Sequence, residues 1–200
     1  MRRPLRPLLA AAVAVVLAVT TAGCSSSDSV ADQYADGSTK NYIAGDGTVV
    51  EIPPANRGEA VSFSSTTELG EPLESADYDG DVMVVNFWYA ACPPCRAEAP
   101  DLEALHQQYK DQGVSFIGVN VRDQASTAVT FAEKFGVTYP SAIDITDSAM
   151  QLAFAGQVPP NAVPTTIVVD REGRTAARVT GRAEKSILES LITTVLAETP

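Results

Sequence analysis

The chain has 200 residues, 45% of them hydrophobic, and is therefore long enough to bury the core of one domain. Its 25 acidic side chains outnumber its 14 basic ones and give a formal net charge of −11. Such a surface disfavours nucleic acid and anionic lipid headgroups as partners, because both carry phosphate charge.

The N-terminal segment has the pattern of a bacterial export signal. Arg2, Arg3 and Arg6 form a basic region, and residues 8–19 form an apolar stretch too short to span a bilayer. Small residues precede Cys24, as in a lipobox, although Thr21 stands where leucine is usual. We predict a lipoprotein signal peptide over 1–23 and acylation of Cys24, which would place the protein on the extracytoplasmic face of the cell membrane. Ordinary cleavage that leaves Cys24 free is the alternative.

A flexible tether is expected next. Residues 24–45 are rich in Ser, Asp, Gly and Thr and poor in apolar side chains, a composition that cannot build a core. The folded domain is expected over 46–200. Its first turn signals, Asp46-Gly47 and Pro53-Pro54, flank a short strand.

The rest of the domain alternates strand and helix patterns. Apolar and β-branched runs predict strands, and apolar residues at 3–4 spacing, such as Leu102, Leu105 and Tyr109, predict helices. Strands are expected at 60–63, 82–88, 114–121, 142–145, 166–170 and 175–180, and helices at 93–111, 125–135, 149–154 and 184–197. The buried faces are expected to include Val129, Ala132 and Phe135 in the second helix. Glu172-Gly173 predicts an antiparallel hairpin, and the element order predicts an α/β fold with a mixed sheet and helices on both faces.

The pair Cys92 and Cys95 carries the strongest chemical signal. It follows the apolar run at 82–85 and precedes a helix, so the first sulfur lies at the positive end of a helix dipole, where a thiolate is stabilised. The spacing lets the second cysteine close a disulfide, which is how a dithiol exchanges electrons with another disulfide. The alternatives are a structural bridge and a zinc site. Zinc sites usually use two such cysteine pairs, whereas this chain has three cysteines and one histidine, His106, eleven residues after Cys95, so we predict no metal.

Neighbouring side chains suggest supporting roles. Glu98 lies one helical turn after Cys95 and could exchange a proton with its sulfur, which fits a raised pKa; an exposed surface glutamate is the alternative. We expect Trp88 to belong partly to the core and partly to a groove wall, His106 to be exposed, and Pro100 to kink its helix.

Several motifs together resemble the membrane-tethered TlpA/ResA-like thiol–disulfide oxidoreductases of the thioredoxin fold. The resemblance covers about residues 60–198. The motifs are Asn86-Phe87-Trp88, Cys92-Pro93-Pro94-Cys95-Arg96, Glu98, Pro100, and Val163-Pro164-Thr165-Thr166 leading into Asp170-Arg171-Glu172-Gly173. It implies a thioredoxin-like fold: a central mixed β-sheet flanked by helices. The region around Pro140 and Asp144 resembles the family's extra strand–helix insert before the hairpin that carries a cis proline.

The resemblance also implies a substrate-binding loop. It implies a cis peptide bond before Pro164, facing the two cysteines, and a backbone at Val163 that pairs with the cysteine segment of a substrate. Two positions depart from the family: Ala91 stands where tryptophan is frequent, and Tyr89 where alanine is common. These changes alter the expected shape of the groove. Thioredoxin itself has a buried aspartate at the position of Asn86, so Glu98 is the remaining nearby candidate for an internal carboxylate.

The expected function is reduction of disulfides in exported proteins. The resemblance implies apocytochrome c or a copper-site protein as substrate and a CcdA/DsbD-like membrane thiol donor as electron source, with no cofactor. Pro93 and Pro94 remove two N–H donors near Cys92, a hint toward a reductant. We expect a monomer. The alternatives are an oxidant that donates disulfides, a thiol peroxidase, and a non-enzymatic tethered binding lipoprotein.

Overall fold

The computed structural model describes residues 48–157 and 162–198. The predicted signal peptide, Cys24 and the tether lie outside these residues. No helix within the described ranges combines the length and apolar character needed to cross a membrane.

The described residues form eight strands and four α-helices. The strands are β1 (Thr48–Glu51), β2 (Ser64–Thr66), β3 (Pro72–Glu74), β4 (Val82–Trp88), β5 (Val114–Asn120), β6 (Ser141–Ile143), β7 (Thr165–Val169) and β8 (Thr175–Thr180). The helices are α1 (Pro93–Tyr109), α2 (Ala125–Phe135), α3 (Ala149–Ala153) and α4 (Lys185–Leu196). Two short 3₁₀ turns cover Pro54–Asn56 and Ser75–Tyr78.

Six strands form one mixed sheet in the order β1-β8-β7-β4-β5-β6. β4 pairs in parallel with β5, and β5 with β6, whereas β7 pairs antiparallel with β4 and β8, and β8 antiparallel with β1. β2 and β3 form a separate hairpin that meets β6 through an antiparallel bridge between Thr67 and Ala142. The predicted α/β fold with a mixed sheet is confirmed, and β6 and α3 supply the predicted strand–helix insert.

Burial explains why β4 is apolar at every position except Asn86. All seven of its residues are buried, because the strand lies between β5 and β7 with other elements covering both faces. On one face, side chains of α1 and α4 such as Leu105 and Ile192 close the core. On the other face, the β2–β3 hairpin and α3 cover Phe87 with residues such as Leu73 and Met150.

Two expectations about local structure differ from what is observed. Residues 60–63 are not a strand; β2 begins at Ser64, although Val61 and Phe63 are buried. In α2 the buried residues are Ala128 and Phe131, while Val129, Ala132 and Phe135 are half-buried. The helix is therefore rotated slightly from the orientation that its apolar pattern predicted.

The expectation that His106 is exposed is wrong. Its ring is half-buried and lies edge-on to Phe116 and Tyr139, with centroid separations of 5.6 and 5.5 Å. Burial lowers the pKa of His106, because desolvation disfavours the charged imidazolium. α1 itself continues through Pro100 without a break.

Candidate active site

The two cysteines lie where β4 leads into α1. Cys92 is the N-cap residue of α1, and its Sγ accepts a hydrogen bond from the backbone N–H of Cys95 at 3.2 Å. The two sulfurs are joined in a disulfide, with the Cα atoms 5.3 Å apart. The pairing expected from the spacing is confirmed.

Local sequence explains this helix start. Pro93 and Pro94 occupy the first helical positions, where a backbone N–H would have no intrahelical acceptor. The preceding loop is held by two contacts: the N–H of Cys92 donates to the carbonyl of Tyr89, and the N–H of Ala90 donates to Asp123 Oδ2 at 2.6 Å. In the reduced protein, the helix N-terminus would stabilise a thiolate at Cys92.

Both cysteines are buried in the oxidised protein. Cys92 is 0% and Cys95 2% exposed. They belong to an apolar cluster that also contains Trp88, Phe131 and Val163. A partner disulfide therefore reaches Cys92 only when neighbouring side chains move.

The peptide bond between Val163 and Pro164 is cis, as the resemblance implied. Val163 is buried in the same cluster as the two cysteines. The carbonyl of Pro164 accepts a hydrogen bond from the N–H of Gly181 at 2.8 Å, and Thr165 Oγ1 donates to the carbonyl of Ala162 at 2.6 Å. These contacts fix the loop at the beginning of β7.

Trp88 is 6% exposed and packs its ring on Phe131 of α2, with the centroids 4.2 Å apart. A small cavity of about 10 Å³ adjoins both Trp88 and Cys95, with Asn86, Tyr139 and Ser141 among its other lining residues. A cavity of this size holds about one water molecule.

Glu98 is fully buried, so the alternative of an exposed glutamate is wrong. Its Oε1 accepts a hydrogen bond from Asn86 Nδ2 at 2.9 Å, and its Oε2 accepts one from the N–H of Ala183 at 2.9 Å. Burial raises the pKa of Glu98 to about 8, since desolvation penalises the carboxylate more than the two hydrogen bonds favour it. The carboxyl group is therefore mostly protonated at neutral pH.

Sequence reasoning missed the partners of Glu98. Asn86 was identified as a position without a titratable group, but its amide donates to both Glu98 and Thr166. Ala183 contributes only its backbone, so no side-chain signal could have identified it. Tyr139 is also buried; desolvation raises its pKa, and the negative charge of Glu98 raises it further.

A mixed sheet with a disulfide at the start of a helix, facing a cis proline, defines a thiol–disulfide oxidoreductase of the thioredoxin fold. Residues 53–193 match the protein family described as Redoxin. The thiol–disulfide oxidoreductase ResA of Halalkalibacterium halodurans is 32% identical over 145 residues, which span 72% of this chain and 80% of that protein. The ResA of Geobacillus kaustophilus is 34% identical over 130 residues, or 65% of this chain and 72% of that protein. The chain belongs to the Redoxin family, among its ResA-like thiol–disulfide oxidoreductases.

Solved structures agree with this assignment. A DsbF homologue from Corynebacterium diphtheriae superposes with a TM-score of 0.67 at 30% identity, covering 76% of this chain and 96% of that one. A secreted thiol-disulfide isomerase from Corynebacterium glutamicum superposes with a TM-score of 0.68 at 26% identity, covering 78% of this chain and 96% of that one.

Proposed function

We propose that this enzyme reduces disulfides of exported proteins outside the cytoplasmic membrane. The observation that carries the proposal is the Cys92–Cys95 disulfide at the N-terminus of α1, with the buried carboxyl of Glu98 one helical turn further on. Apocytochrome c and copper-site proteins are the substrates that the ResA resemblance implies.

The reaction consists of two exchange steps. In the reduced enzyme, the Cys92 thiolate attacks one sulfur of the substrate disulfide; a Cys92–substrate bond forms, and the second substrate sulfur leaves as a thiolate. The Cys95 thiolate then attacks Cys92 Sγ, which restores the Cys92–Cys95 bond and releases the first substrate sulfur. In total the enzyme dithiol loses two electrons and two protons, and the substrate gains them as two thiols.

We assign Glu98 as the group that exchanges a proton with the thiol of Cys95. A pKa of about 8 lies close to the ordinary range of a thiol, so a proton passes between the two groups with little energetic cost. The fixed positions of Val163 and Pro164 beside the cysteines support a role in aligning the substrate segment. Trp88, which clusters with the cysteines and Val163, would form part of the wall of the substrate groove.

The location and the electron source belong to the same proposal. Acylation of Cys24 would anchor the enzyme to the membrane, and residues 24–45 would tether the domain formed by 46–200. Outside the cytoplasm, cytosolic glutathione does not reduce the disulfide. A CcdA/DsbD-like membrane thiol donor would then supply the two electrons. The description of the Corynebacterium glutamicum neighbour as secreted supports an extracytoplasmic location.

A second function, disulfide donation to folding proteins, uses the same residues in reverse. The DsbF homologue and the secreted isomerase favour it, since both superpose over three quarters or more of this chain. The reduction potential of the Cys92/Cys95 couple separates the two directions.

The experiment is equilibration of the protein with glutathione or dithiothreitol buffers at pH 7. Trp88 is the single tryptophan and packs beside the disulfide, so its fluorescence reports the redox state. A potential near or below about −250 mV supports the reductase, and one of about −120 to −180 mV supports the oxidant or isomerase. Cys92→Ser and Cys95→Ser are the controls. Full biological function in Cys92→Ser would refute both functions and support a non-enzymatic binding lipoprotein.

A further inference from the structure

An open groove lies directly beside the active-site loop. It has a volume of about 410 Å³ and runs between the start of α1 and the length of α2. Its apolar floor includes Phe131 and Phe135, whose rings lie 4.4 Å apart. At the active-site end it is lined by Ala90, two residues before Cys92, and by Arg96, directly after Cys95.

Most basic side chains of the described residues already have ion pairs or hydrogen bonds. Ten lysines and arginines lie within 48–157 and 162–198. Six of them have ion pairs or side-chain hydrogen bonds: Arg57, Lys110, Arg171, Arg174, Arg178 and Arg182.

The other four form no ion pair with any described residue, and three of these lie around the loop. Arg96 and Lys134 line the groove, and Lys134 Nζ lies 5.7 Å from the ring centroid of Phe135. Arg122 stacks on the ring of Tyr89, with Cζ 4.4 Å from its centroid. In a chain with a net charge of −11, unpaired positive charge is thus concentrated beside the reactive disulfide.

The acidic side chains nearby do not cancel this charge. No carboxylate lines the described groove. Asp123 lies at the loop, where its Oδ2 accepts hydrogen bonds from the N–H of Ala90 and from Asn120 Nδ2, and its single negative charge is outnumbered by the three basic side chains. Glu133 precedes Lys134 on α2 and is exposed to solvent.

We propose that this groove, named here the α1–α2 groove, binds an extended segment of the substrate polypeptide that carries carboxylates next to its disulfide. An apolar side chain of that segment would cover Phe131 and Phe135, while its carboxylates would approach Arg96 and Lys134. The inference rests on the proposed exchange function and adds a substrate preference to it. Because Cys92 is buried and the groove is open, the partner contacts the groove before it reaches the sulfur, so the charges act on the rate of association.

The test uses three synthetic peptides, each closed by one disulfide and identical except for two residues beside a cysteine. These residues are Glu-Glu in the acidic probe, Gln-Gln in the neutral one and Lys-Lys in the basic one. The second-order rate of oxidation of the reduced protein is followed by Trp88 fluorescence. At low ionic strength we expect the acidic probe to react about tenfold faster than the basic one. About 1 M salt should remove most of the difference, since screening then acts over about 3 Å.

Two matched variants locate the effect. Lys134→Glu changes the charge in the groove, and Lys110→Glu makes the same change at the far end of α1. We expect Lys134→Glu to bring the acidic-to-basic rate ratio to about one or below. Lys110→Glu should keep the ratio within about twofold of the unmodified protein, because Lys110 lies about 22 Å along α1 from Cys95 and the Coulomb interaction weakens with distance. The rate with uncharged 2-hydroxyethyl disulfide, measured for each variant, reports the intrinsic reactivity of its cysteines, and the acidic-to-basic ratio within one variant does not depend on that reactivity.

The outcomes are distinct. Equal rates for the three probes at low salt would overturn the groove proposal and leave the exchange function standing. An unchanged preference in Lys134→Glu would overturn it as well. Failure of all three probes and of 2-hydroxyethyl disulfide to react would refute the exchange function itself.

Discussion

Asn86 Nδ2 donates a hydrogen bond of 2.9 Å to Oε1 of Glu98, joining the central strand β4 to the catalytic helix α1 inside the core. The second amide hydrogen of Asn86 is directed to Thr166 Oγ1 on β7, 3.0 Å from the nitrogen. A neutral amide thus lies beside the fully buried carboxyl of Glu98. Burial keeps Glu98 mostly protonated near neutral pH, although the hydrogen bond from Asn86 by itself favours the carboxylate.

The first prediction concerns stability and pH. The pKa of Glu98 is about 8 in the folded protein and near 4.5 when solvated, so between these values the folded state holds a proton that the unfolded state releases. The free energy of unfolding should therefore fall as pH rises from about 5 to about 8, by a few kcal/mol at most. Glu98→Gln should remove most of this slope. Urea unfolding of the oxidised protein across this range measures it.

Glu133→Gln is the matched control, since Glu133 is exposed on α2. Its slope should equal that of the unmodified protein. An identical slope in Glu98→Gln would show that the buried carboxyl does not titrate in this range.

The second prediction concerns the proton role of Glu98 in the reduced enzyme. If Glu98 accepts the proton of Cys95, Glu98→Gln should change the pH dependence of alkylation of the cysteines by iodoacetamide, measured by mass for each sulfur. We expect the effect mainly at Cys95, since Glu98 lies one turn beyond it. Unchanged profiles at both sulfurs would leave Glu98 with a structural role only.

The third prediction introduces a second carboxyl. Asn86→Asp places an acid at hydrogen-bonding distance from Glu98, and two buried carboxyls this close share one proton rather than both ionising. At pH 8 we expect a loss of about 3–5 kcal/mol in the free energy of unfolding, as for an unpaired buried charge. At pH 5, where both groups can be protonated, the loss should be much smaller. An equal loss at both pH values would point to a steric cause.

Local sequence signals predicted several of the strands and helices but not the contacts of Glu98. β4, α2 and β8 have the predicted bounds. Their signals are local in the sequence: an apolar run for β4, a terminating glycine for α2 and a tight turn before β8. The contacts of Glu98 connect residues 12 and 85 positions apart and depend on how α1 meets β4 and the segment before α4. His106 is half-buried for the same reason, since Phe116 and Tyr139 reach it from β5 and from the loop before β6.

The fourth prediction tests the packing behind the disulfide. Gly118 lies on β5, and a Cβ there would collide with Ser141 Oγ and come within 2.9 Å of Trp88 Nε1. Gly118→Ala should cost about 1–3 kcal/mol of stability, as for other overpacked cores, and should shift the fluorescence of Trp88. Gly58→Ala is the control, because nothing lies within 4 Å of the added carbon. Equal stability of the two variants would contradict the close approach of Trp88 and Ser141.

The fifth prediction concerns a buried ion pair far from the cysteines. The side chain of Arg57 is 3% exposed; its Nη1 lies 2.9 Å from Asp170 Oδ2, and the guanidinium also pairs with Glu198 after α4. Burial alone would raise the pKa of Asp170, but hydrogen bonds from the N–H of Arg174 and from both guanidinium groups outweigh it, so the pKa is lowered. A carboxyl whose pKa is lowered by folding stabilises the folded state at pH values above its ordinary pKa. This contribution is lost as the pH falls through the pKa of the folded state.

Arg57→Met should therefore cost about 2–4 kcal/mol at pH 7, less than a fully orphaned charge because Arg174 still pairs with Asp170. The cost should shrink as the pH falls below about 4, where the carboxyls become protonated. Glu172→Gln removes the partner of an exposed pair with Arg174 and should cost less than about 1 kcal/mol. Urea unfolding at pH 7 and pH 3 measures all three proteins. Similar small losses in both variants would mean that solvent reaches Arg57 and that its ion pairs contribute no more than surface ones.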